Sequence, residues 1–351
     1  RARPASFAPA GDLAFKRVVL CLDGVPYRVL VELHAKGLFK RFSPPGRMIS
    51  VFPSLSSIAW NTLLQLPPEP GYQAVYYAND QARIMGVTAR KMQGSRFQTR
   101  MHHRHQGIIG HGLAYVAPFL VGRSQIRHML RELIDHRGSR TAFLYAYQTD
   151  PIAHMNGRES LERVLVDIDR ELESLMDAFR ARHGEELEVV IVSDHGHTLV
   201  TGKLAKLEKH LDDHGWRVTK QIRADNECAY TSAGILSSIT LHCREAKEVE
   251  LARIVAGMEG VDLCTWDVLG REQHVLTTRG EGRFRYDPIA DAYAYDVVSG
   301  QDPLDYVAVF ERLAAQGKLD PRGFARSTDL FLATLDHGYP DAAHRIRVGH
   351  T

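Results

Sequence analysis

The feature that most constrains the fold is an apolar run that ends abruptly in polar side chains. Residues 189–197 have the sequence VVIVSDHGH, so a buried stretch is followed at once by Asp194, His195 and His197. Short apolar runs rich in β-branched residues are typical of strands that are buried on both faces of a parallel sheet. In open α/β folds, ligands bind at the carboxyl ends of such strands. The sequence therefore predicts a strand that carries functional groups to the edge of a sheet.

Two other segments have the same arrangement. The run KRVVLCLDG ends with Asp23 and Gly24, and TAFLYAYQTDPIAH carries Asp150 and His154. The latter two residues are four apart, so one helical turn would aim both at one ion. Carboxylates combined with neutral imidazoles suit Zn²⁺ and similar metals. Three strand ends of this kind predict one active site, in which two metal ions would clamp the attacking and leaving oxygens of a displacement at phosphorus.

Such a site needs a nucleophile, and the segment FPSLSSIAWNTLL offers Ser56 and Ser57 where a predicted strand turns into a helix. A group at the start of a helix gains from the positive end of the helix dipole. Metal coordination can also lower the pKa of a hydroxyl enough to activate it without a histidine base. We predict that Ser56 is the nucleophile, with Ser57 as the alternative.

The order of the predicted elements indicates the fold class. Strands predicted at RVVLCLDG, TAFLYAYQTD and LEVVIVSDHG alternate with helices at 27–37, 124–138 and 159–184. This alternation predicts an α/β fold, a doubly wound and mostly parallel sheet with helices on both faces. After residue 205 the predicted strands are shorter, with one helix among them, and TDLFLATLDHGY is predicted to be a late buried strand. The predicted domains are a flexible lead-in (1–14), a catalytic core (15–209 and 321–351) and an inserted α+β cap (210–320).

Composition excludes several classes of protein. The chain is 44% hydrophobic and 25% charged, which is ordinary for a soluble globular protein. Its formal charge of +2 argues against a stable nucleic-acid partner. No apolar stretch reaches the length of about 18 residues that would predict a transmembrane segment. The compartment stays open, either cytoplasmic or exported after removal of a signal, and so does the oligomeric state.

The motifs LDG, FPSLSSIAW, QTDPIAH and SDHG, in this order, resemble those of the alkaline phosphatase superfamily. The branch that they resemble most is the nucleotide pyrophosphatase/phosphodiesterase type. The resemblance covers residues 16–200, with a weaker match over 326–351. It implies a pair of divalent metal ions, usually zinc, with Mn²⁺ or Mg²⁺ as alternatives, and a covalent phospho-enzyme.

The resemblance also implies a ligand set. The first metal would be held by the aspartate of the opening strand, the nucleophile and the Asp-His pair of SDHG, which here are Asp23, Ser56, Asp194 and His195. The second metal would be held by the Asp and His of the DxxxH motif and by a late histidine, which here are Asp150, His154 and His350, with His337 as the alternative to His350.

This chain departs from the pattern near its nucleophile. Diesterases of this type usually have a threonine nucleophile and an asparagine three residues later, whereas this chain has Ser56 and Ala59. Asn61 is the candidate to take over the phosphoryl contact, and His197 is a candidate for another substrate contact.

The predicted function is therefore that of a metal-dependent phosphohydrolase of the phosphodiesterase/nucleotide pyrophosphatase type, working through a phosphoserine. Its substrate would be a small phosphate ester or a nucleotide. The alternatives are a phosphomonoesterase, a phosphotransferase that passes the phosphoryl group to an alcohol, and, less favoured, a non-catalytic binding protein.

Overall fold

The computed structural model describes residues 16–68, 75–86, 95–101, 141–200, 205–231, 237–268 and 270–350. The predicted lead-in and the helix predicted at 124–138 lie outside these residues. The strands are β1 (Arg17–Leu22), β2 (Tyr76–Ala78), β3 (Arg83–Met85), β4 (Thr141–Ala146), β5 (Glu188–Ser193), β6 (Arg217–Val218), β7 (Glu227–Tyr230), β8 (Leu241–His242), β9 (Cys264–Val268), β10 (Glu272–Leu276), β11 (Gly280–Asp287), β12 (Ala292–Gly300) and β13 (Ala325–Arg326). The α-helices are α1 (Tyr27–Ala35), α2 (Ser56–Leu63), α3 (Thr149–His183), α4 (Leu207–Asp213), α5 (Glu248–Ala256), α6 (Val307–Ala315), α7 (Ser327–Thr334) and α8 (Ala342–His350).

The chain forms two compact units. The first unit comprises the described residues of Arg1–Ser50, Ser54–Glu69 and Ala89–Gly202, and the second those of Val51–Pro53, Pro70–Thr88 and Lys203–Thr351. The boundaries of core and cap expected from the sequence stay a prediction. No helix in the described part of the chain is both long enough and apolar enough to cross a membrane.

The first unit contains a parallel sheet with the strand order β4-β1-β5. The central strand β1 pairs with both neighbours in register, so that Leu22 lies opposite Ala146 on one side and Ser193 on the other. The three strands predicted at RVVLCLDG, TAFLYAYQTD and LEVVIVSDHG are therefore confirmed, and they end at the same edge. The chain has a mixed α/β fold with this parallel sheet, while the doubly wound arrangement stays a prediction.

Helix α3 begins ten residues before the helix predicted at Glu159. Its first turns carry the DPIAH motif directly after β4, and Pro151 is tolerated there because the first turn needs no amide donor. The helix is interrupted at Gly157, which has a φ of 74° and a ψ of −168°. Beyond this break, Leu161, Leu165 and neighbouring apolar residues join the core against the sheet. The break therefore separates a packing helix from a short segment that carries polar side chains.

The second unit is built on an antiparallel sheet with the order β13-β12-β11-β10-β9. Its core includes the buried residues Phe284, Tyr293, Tyr306 and Leu313. A separate cluster around Trp216 packs α4 and α5 against short strands. The short strands and the single helix predicted for residues 210–320 are confirmed in part, since α6 and the end of α4 also lie there and were not predicted.

Two local predictions were wrong. Residues 328–334 form helix α7, where a strand was predicted, and residues 49–55 before α2 form neither helix nor strand. In α7, Leu330 and Thr334 are buried one helical turn apart, whereas Leu332 is 60% exposed. Short apolar runs do not distinguish a strand from a helix, and here packing decided for the helix.

Candidate active site

Three segments that follow the parallel strands are joined by hydrogen bonds. The Gly24 amide donates to Asp194 Oδ1 at 3.2 Å, and the Val25 amide donates to Ser193 Oγ at 2.9 Å. Thr149 Oγ1, at the start of α3, donates to the carbonyl oxygen of Asp23 at 2.6 Å. These contacts hold the ends of β1, β4 and β5 against one another, because the segment after β1 is hydrogen-bonded to the segments after both β4 and β5.

The first group of candidate ligands lies at this junction. Asp23, Asp194 and His195 each offer a ligand atom, and the three atoms lie within 4.8 Å of one another. His195 Nε2 is 3.4 Å from Asp23 Oδ1 and 3.6 Å from Asp194 Oδ2. Both carboxylates are buried, with Asp194 only 1% exposed. The described residues therefore form a preassembled set of donors of the kind that binds a divalent metal.

The predicted nucleophile lies beside this group. Ser56 is the first residue of α2, and its hydroxyl donates to Asp23 Oδ1 at 3.0 Å and lies 3.2 Å from His195 Nε2. Ser57 is buried, and its Oγ has no hydrogen-bond partner. Of the two candidate serines, Ser56 therefore has its hydroxyl among the candidate ligands.

The charges of the group are unfavourable without a cation. Burial raises the pKa of Asp23, and the charge of Asp150 raises it further. Burial also raises the pKa of Asp194 well above its usual range, with an added contribution from Asp23. Burial lowers the pKa of His195, but its hydrogen bond to Asp23 and the charge of Asp194 outweigh this effect and bring it to about 10. Asp23 is thus repelled by both Asp150 and Asp194 in a buried setting, and a bound cation would relieve this repulsion.

Two carboxylate oxygens also lack a hydrogen-bond partner. Asp150 Oδ1 and Asp194 Oδ2 are both buried and accept no hydrogen bond. An unsatisfied buried acceptor is costly, and it is more so when the acceptor is charged. Metal ligation would satisfy both oxygens, so the residues present fit a divalent metal.

The second group of candidate ligands lies on the first turns of α3. His154 Nε2 is 3.4 Å from Asp150 Oδ1, as expected for residues one helical turn apart. His154 Nδ1 lies 2.9 Å from Nε2 of His197, and the Leu199 amide donates to His197 Nδ1 at 2.7 Å. The close contact with Asp150 raises the pKa of His154. Burial and then the charge of His154 lower the pKa of His197. His197 contacts His154 here, and its expected role as a substrate contact stays a prediction.

The two late histidines belong to the second unit. His337 follows α7, its Nδ1 accepts a hydrogen bond from the Tyr339 amide at 3.1 Å, and its ring packs edge-on against Tyr306 at 5.0 Å. His350 is the last residue of α8. The assignment of either residue to a metal stays a prediction.

Asn61, the proposed phosphoryl contact, is buried in α2, and its Oδ1 has no hydrogen-bond partner. It lies five residues after Ser56, which places the two side chains about 140° apart around the helix. Ser57, one turn before Asn61, shares its face of α2. The role of Asn61 also stays a prediction.

Sequence reasoning missed one residue at this site. The hydroxyl of Tyr145 in β4 donates to Asp23 Oδ2. Burial raises the pKa of Tyr145 well above its ordinary value, and the charge of Asp23 adds to this effect, so the hydroxyl keeps its proton. The available signal was strand alternation, since Tyr145 lies one residue from the end of β4 and faces away from Leu144 and Ala146, which join the core.

We expect Gly24→Ala to disturb both stability and metal binding. Gly24 has a φ of +66°, and a Cβ there would lie 2.5 Å from Asp150 Oδ1. Backbone strain should cost about 1–3 kcal/mol, and displacement of the carboxylate should weaken zinc binding. Gly184→Ala is the matched control, because Gly184 has a φ of +68° but no atom within 4 Å of the added Cβ. Gly24→Ala should lower both the melting temperature and the zinc affinity, whereas Gly184→Ala should lower the melting temperature alone. Equal zinc affinities of the two variants would contradict this expectation.

The comparison with known proteins agrees with this chemistry. Residues 119–345 match the family model of type I phosphodiesterase / nucleotide pyrophosphatase. The matched segment includes both pairs of candidate ligands, Asp150 with His154 and Asp194 with His195, and begins after Asp23. No curated protein and no solved structure matches the chain significantly. Because the family model covers more than half of the sequence, the chain belongs to the type I phosphodiesterase/nucleotide pyrophosphatase family, a family of the alkaline phosphatase superfamily.

Proposed function

We propose that this protein hydrolyses a small phosphodiester or pyrophosphate by way of a phosphoserine at Ser56. The observation that carries the proposal is the position of the Ser56 hydroxyl, 3.0 Å from the Asp23 carboxylate and 3.2 Å from His195, in a chain of a phosphodiesterase family. The family points to phosphoester hydrolysis, and the serine supplies a nucleophile for it. The substrate would be a small phosphate ester or a nucleotide.

The residues present would bind two divalent ions, zinc being the first choice and Mn²⁺ or Mg²⁺ the alternatives. Asp23, Ser56, Asp194 and His195 would hold one ion. Asp150, His154 and a late histidine would hold the other. When bound, such ions neutralise phosphoryl oxygens and lower the pKa of a coordinated hydroxyl.

In the first step, Ser56 Oγ attacks phosphorus and the ester bond to the leaving group breaks. The serine hydroxyl gives its proton to the polar groups that it contacts. The departing alcohol or phosphate takes up one proton in turn. The N-terminus of α2 favours negative charge on Oγ, because the first amides of a helix carry a partial positive charge.

In the second step, water attacks the phosphoserine. The bond between Ser56 Oγ and phosphorus breaks, and one proton of the water returns to the serine. The released product is a phosphate monoester, or a phosphate when the substrate is a monoester. Asp23 and His195 lie close enough to Oγ to hold its proton when the hydroxyl is regenerated.

A panel of chromogenic monoesters and diesters, assayed with Zn²⁺, Mn²⁺ and Mg²⁺, tests this proposal. We expect diester hydrolysis to be the faster reaction, with an absolute requirement for a divalent ion. Hydrolysis of monoesters alone would assign the protein to phosphomonoesterases, and no turnover of any ester would contradict the proposal.

Transfer of the phosphoryl group to an alcohol is the second candidate function, since a phosphoserine can react with either acceptor. Product analysis in the presence of a competing alcohol distinguishes the two. Free phosphate or monoester as the main product supports a hydrolase. A transferase is supported if the fraction of product that is a new ester exceeds the mole fraction of alcohol in the solvent.

The late ligand is tested by a pair of variants. We expect His350→Ala to lose one of the two metal ions and most of the activity, because Asp150 and His154 alone would leave the second ion short of the usual three protein ligands. We expect His337→Ala to keep both ions and to lose about 1 kcal/mol of stability with its hydrogen bond to the Tyr339 amide. Elemental analysis of both variants measures this, and the reverse stoichiometry would assign the ligand to His337.

A further inference from the structure

Among the described residues of the first unit, two side-chain hydroxyls donate a hydrogen bond to the Asp23 carboxylate, those of Ser56 and Tyr145. Ser56 is a predicted metal ligand, whereas Tyr145 is not. Tyr145 lies in β4, directly beside β1 of the same sheet, where its register partner is Cys21. Its hydroxyl donates to Asp23 Oδ2. No role for Tyr145 follows from the sequence motifs, and the chemistry proposed above does not use it.

The two oxygens of Asp23 have different partners. Oδ1 accepts the Ser56 hydroxyl at 3.0 Å and faces His195 Nε2 at 3.4 Å, whereas Oδ2 accepts the Tyr145 hydroxyl. A carboxylate with one oxygen held in this way cannot rotate freely about its Cβ–Cγ bond. The Tyr145 hydrogen bond therefore selects which oxygen faces the serine and the candidate metal.

The ring of Tyr145 is itself held by aromatic neighbours. It packs edge-on against Trp60 at 5.9 Å and against Phe97 at 5.2 Å. Trp60 is buried in α2, one turn after Ser56, so the same cluster contacts the helix that carries the nucleophile. The position of the Tyr145 hydroxyl is thus determined by packing that also positions α2.

We propose that Tyr145 is a positioning residue that orients Asp23 for metal binding and for its contact with Ser56. This inference rests on the proposed metal-dependent function. Hydrogen bonds to metal-ligating groups orient the ligands, and their removal typically lowers metal affinity or activity by about 10–100-fold. Tyr145 would act through Asp23, without touching the substrate.

The test is Tyr145→Phe, which removes one oxygen atom and keeps the ring. We expect the zinc affinity of the site that contains Asp23, measured by competition with a chromogenic chelator, to fall by about 10–100-fold. We also expect kcat to fall while KM stays within about twofold, since the serine is misplaced but substrate contacts remain. Tyr295→Phe is the matched control, because the Tyr295 hydroxyl donates to Asp302 at 2.6 Å, a carboxylate that is not a candidate ligand. The control should lose stability and keep its zinc affinity.

Coupling to Asp23 provides the second measurement. In an Asp23→Asn background, Tyr145→Phe should change zinc affinity by less than about twofold, because residues that act as a unit have non-additive effects. Wild-type zinc affinity and kcat in Tyr145→Phe, or equal losses in Tyr145→Phe and Tyr295→Phe, would overturn the inference while leaving the proposed function intact. A wild-type protein that neither binds zinc nor hydrolyses any ester would overturn both.

Discussion

Ser56→Ala is expected to lower kcat by about 10⁴-fold or more while leaving the fold and the metal content largely intact. The magnitude is that seen when the nucleophile of a covalent mechanism is removed. Ser56 is half-buried at the start of α2 and lies beside the candidate ligands Asp23 and His195, so its loss should remove chemistry before structure. Steady-state kinetics, circular dichroism and elemental analysis of one preparation measure the three quantities.

Ser57→Ala is the matched control for this variant. Ser57 is adjacent in sequence, but its buried Oγ makes no hydrogen bond, so its removal should leave kcat within a few-fold of the wild type. A kcat of Ser56→Ala within about tenfold of the wild type, which corresponds to about 1.4 kcal/mol in the activation free energy, would contradict the assignment of Ser56 as the nucleophile. A large loss in Ser57→Ala alone would move the nucleophile to that residue.

Removal of divalent metal is expected to abolish hydrolysis and to destabilise the first unit. Asp23 is repelled by both Asp150 and Asp194, and a buried oxygen of each of the latter two accepts no hydrogen bond. A bound cation would therefore remove a cost that the metal-free protein bears. At zinc concentrations about 100-fold above Kd, binding adds about 2.7 kcal/mol. For a unit of this size, this corresponds to a rise in melting temperature of about 5–10 °C.

Thermal unfolding of chelator-treated protein with and without added Zn²⁺, Mn²⁺ or Mg²⁺ measures this effect. Asp194→Asn should reduce the stabilisation by zinc for two reasons. It removes a candidate ligand, and it weakens the repulsion between Asp23 and residue 194 that a cation would relieve. Asp302→Asn, a change to a carboxylate outside the candidate site, should leave the zinc effect unchanged. Full activity in excess chelator, with no change in melting temperature on adding any of the three ions, would rule out a metal-dependent enzyme.

The sequence alone was sufficient for the three parallel strands and for the polar residues that follow them. An apolar run that stops at an aspartate is a local pattern, and the strands β1, β4 and β5 formed where it predicted them. The convergence of Asp23, Asp194 and His195 follows from the same pattern, since parallel strands in register end at one edge. Family membership was likewise predicted from the motifs, and the family model matches residues 119–345, which include QTDPIAH and SDHG.

Tertiary structure decided what depends on the direction of side chains and on contacts between distant segments. Which of Ser56 and Ser57 has its hydroxyl beside Asp23 depended on the orientation of α2, because adjacent helical residues point about 100° apart. The role of Ser56 as nucleophile stays a prediction. The contacts of Tyr145 with Asp23 and of His197 with His154 join segments more than 40 residues apart. Strand alternation gives the face of β4 on which Tyr145 lies, but it does not give the partner of its hydroxyl. The helix at Ser327–Thr334 was likewise decided by packing, since its apolar run fits either a strand or a helix until Leu330 and Thr334 find a core to face.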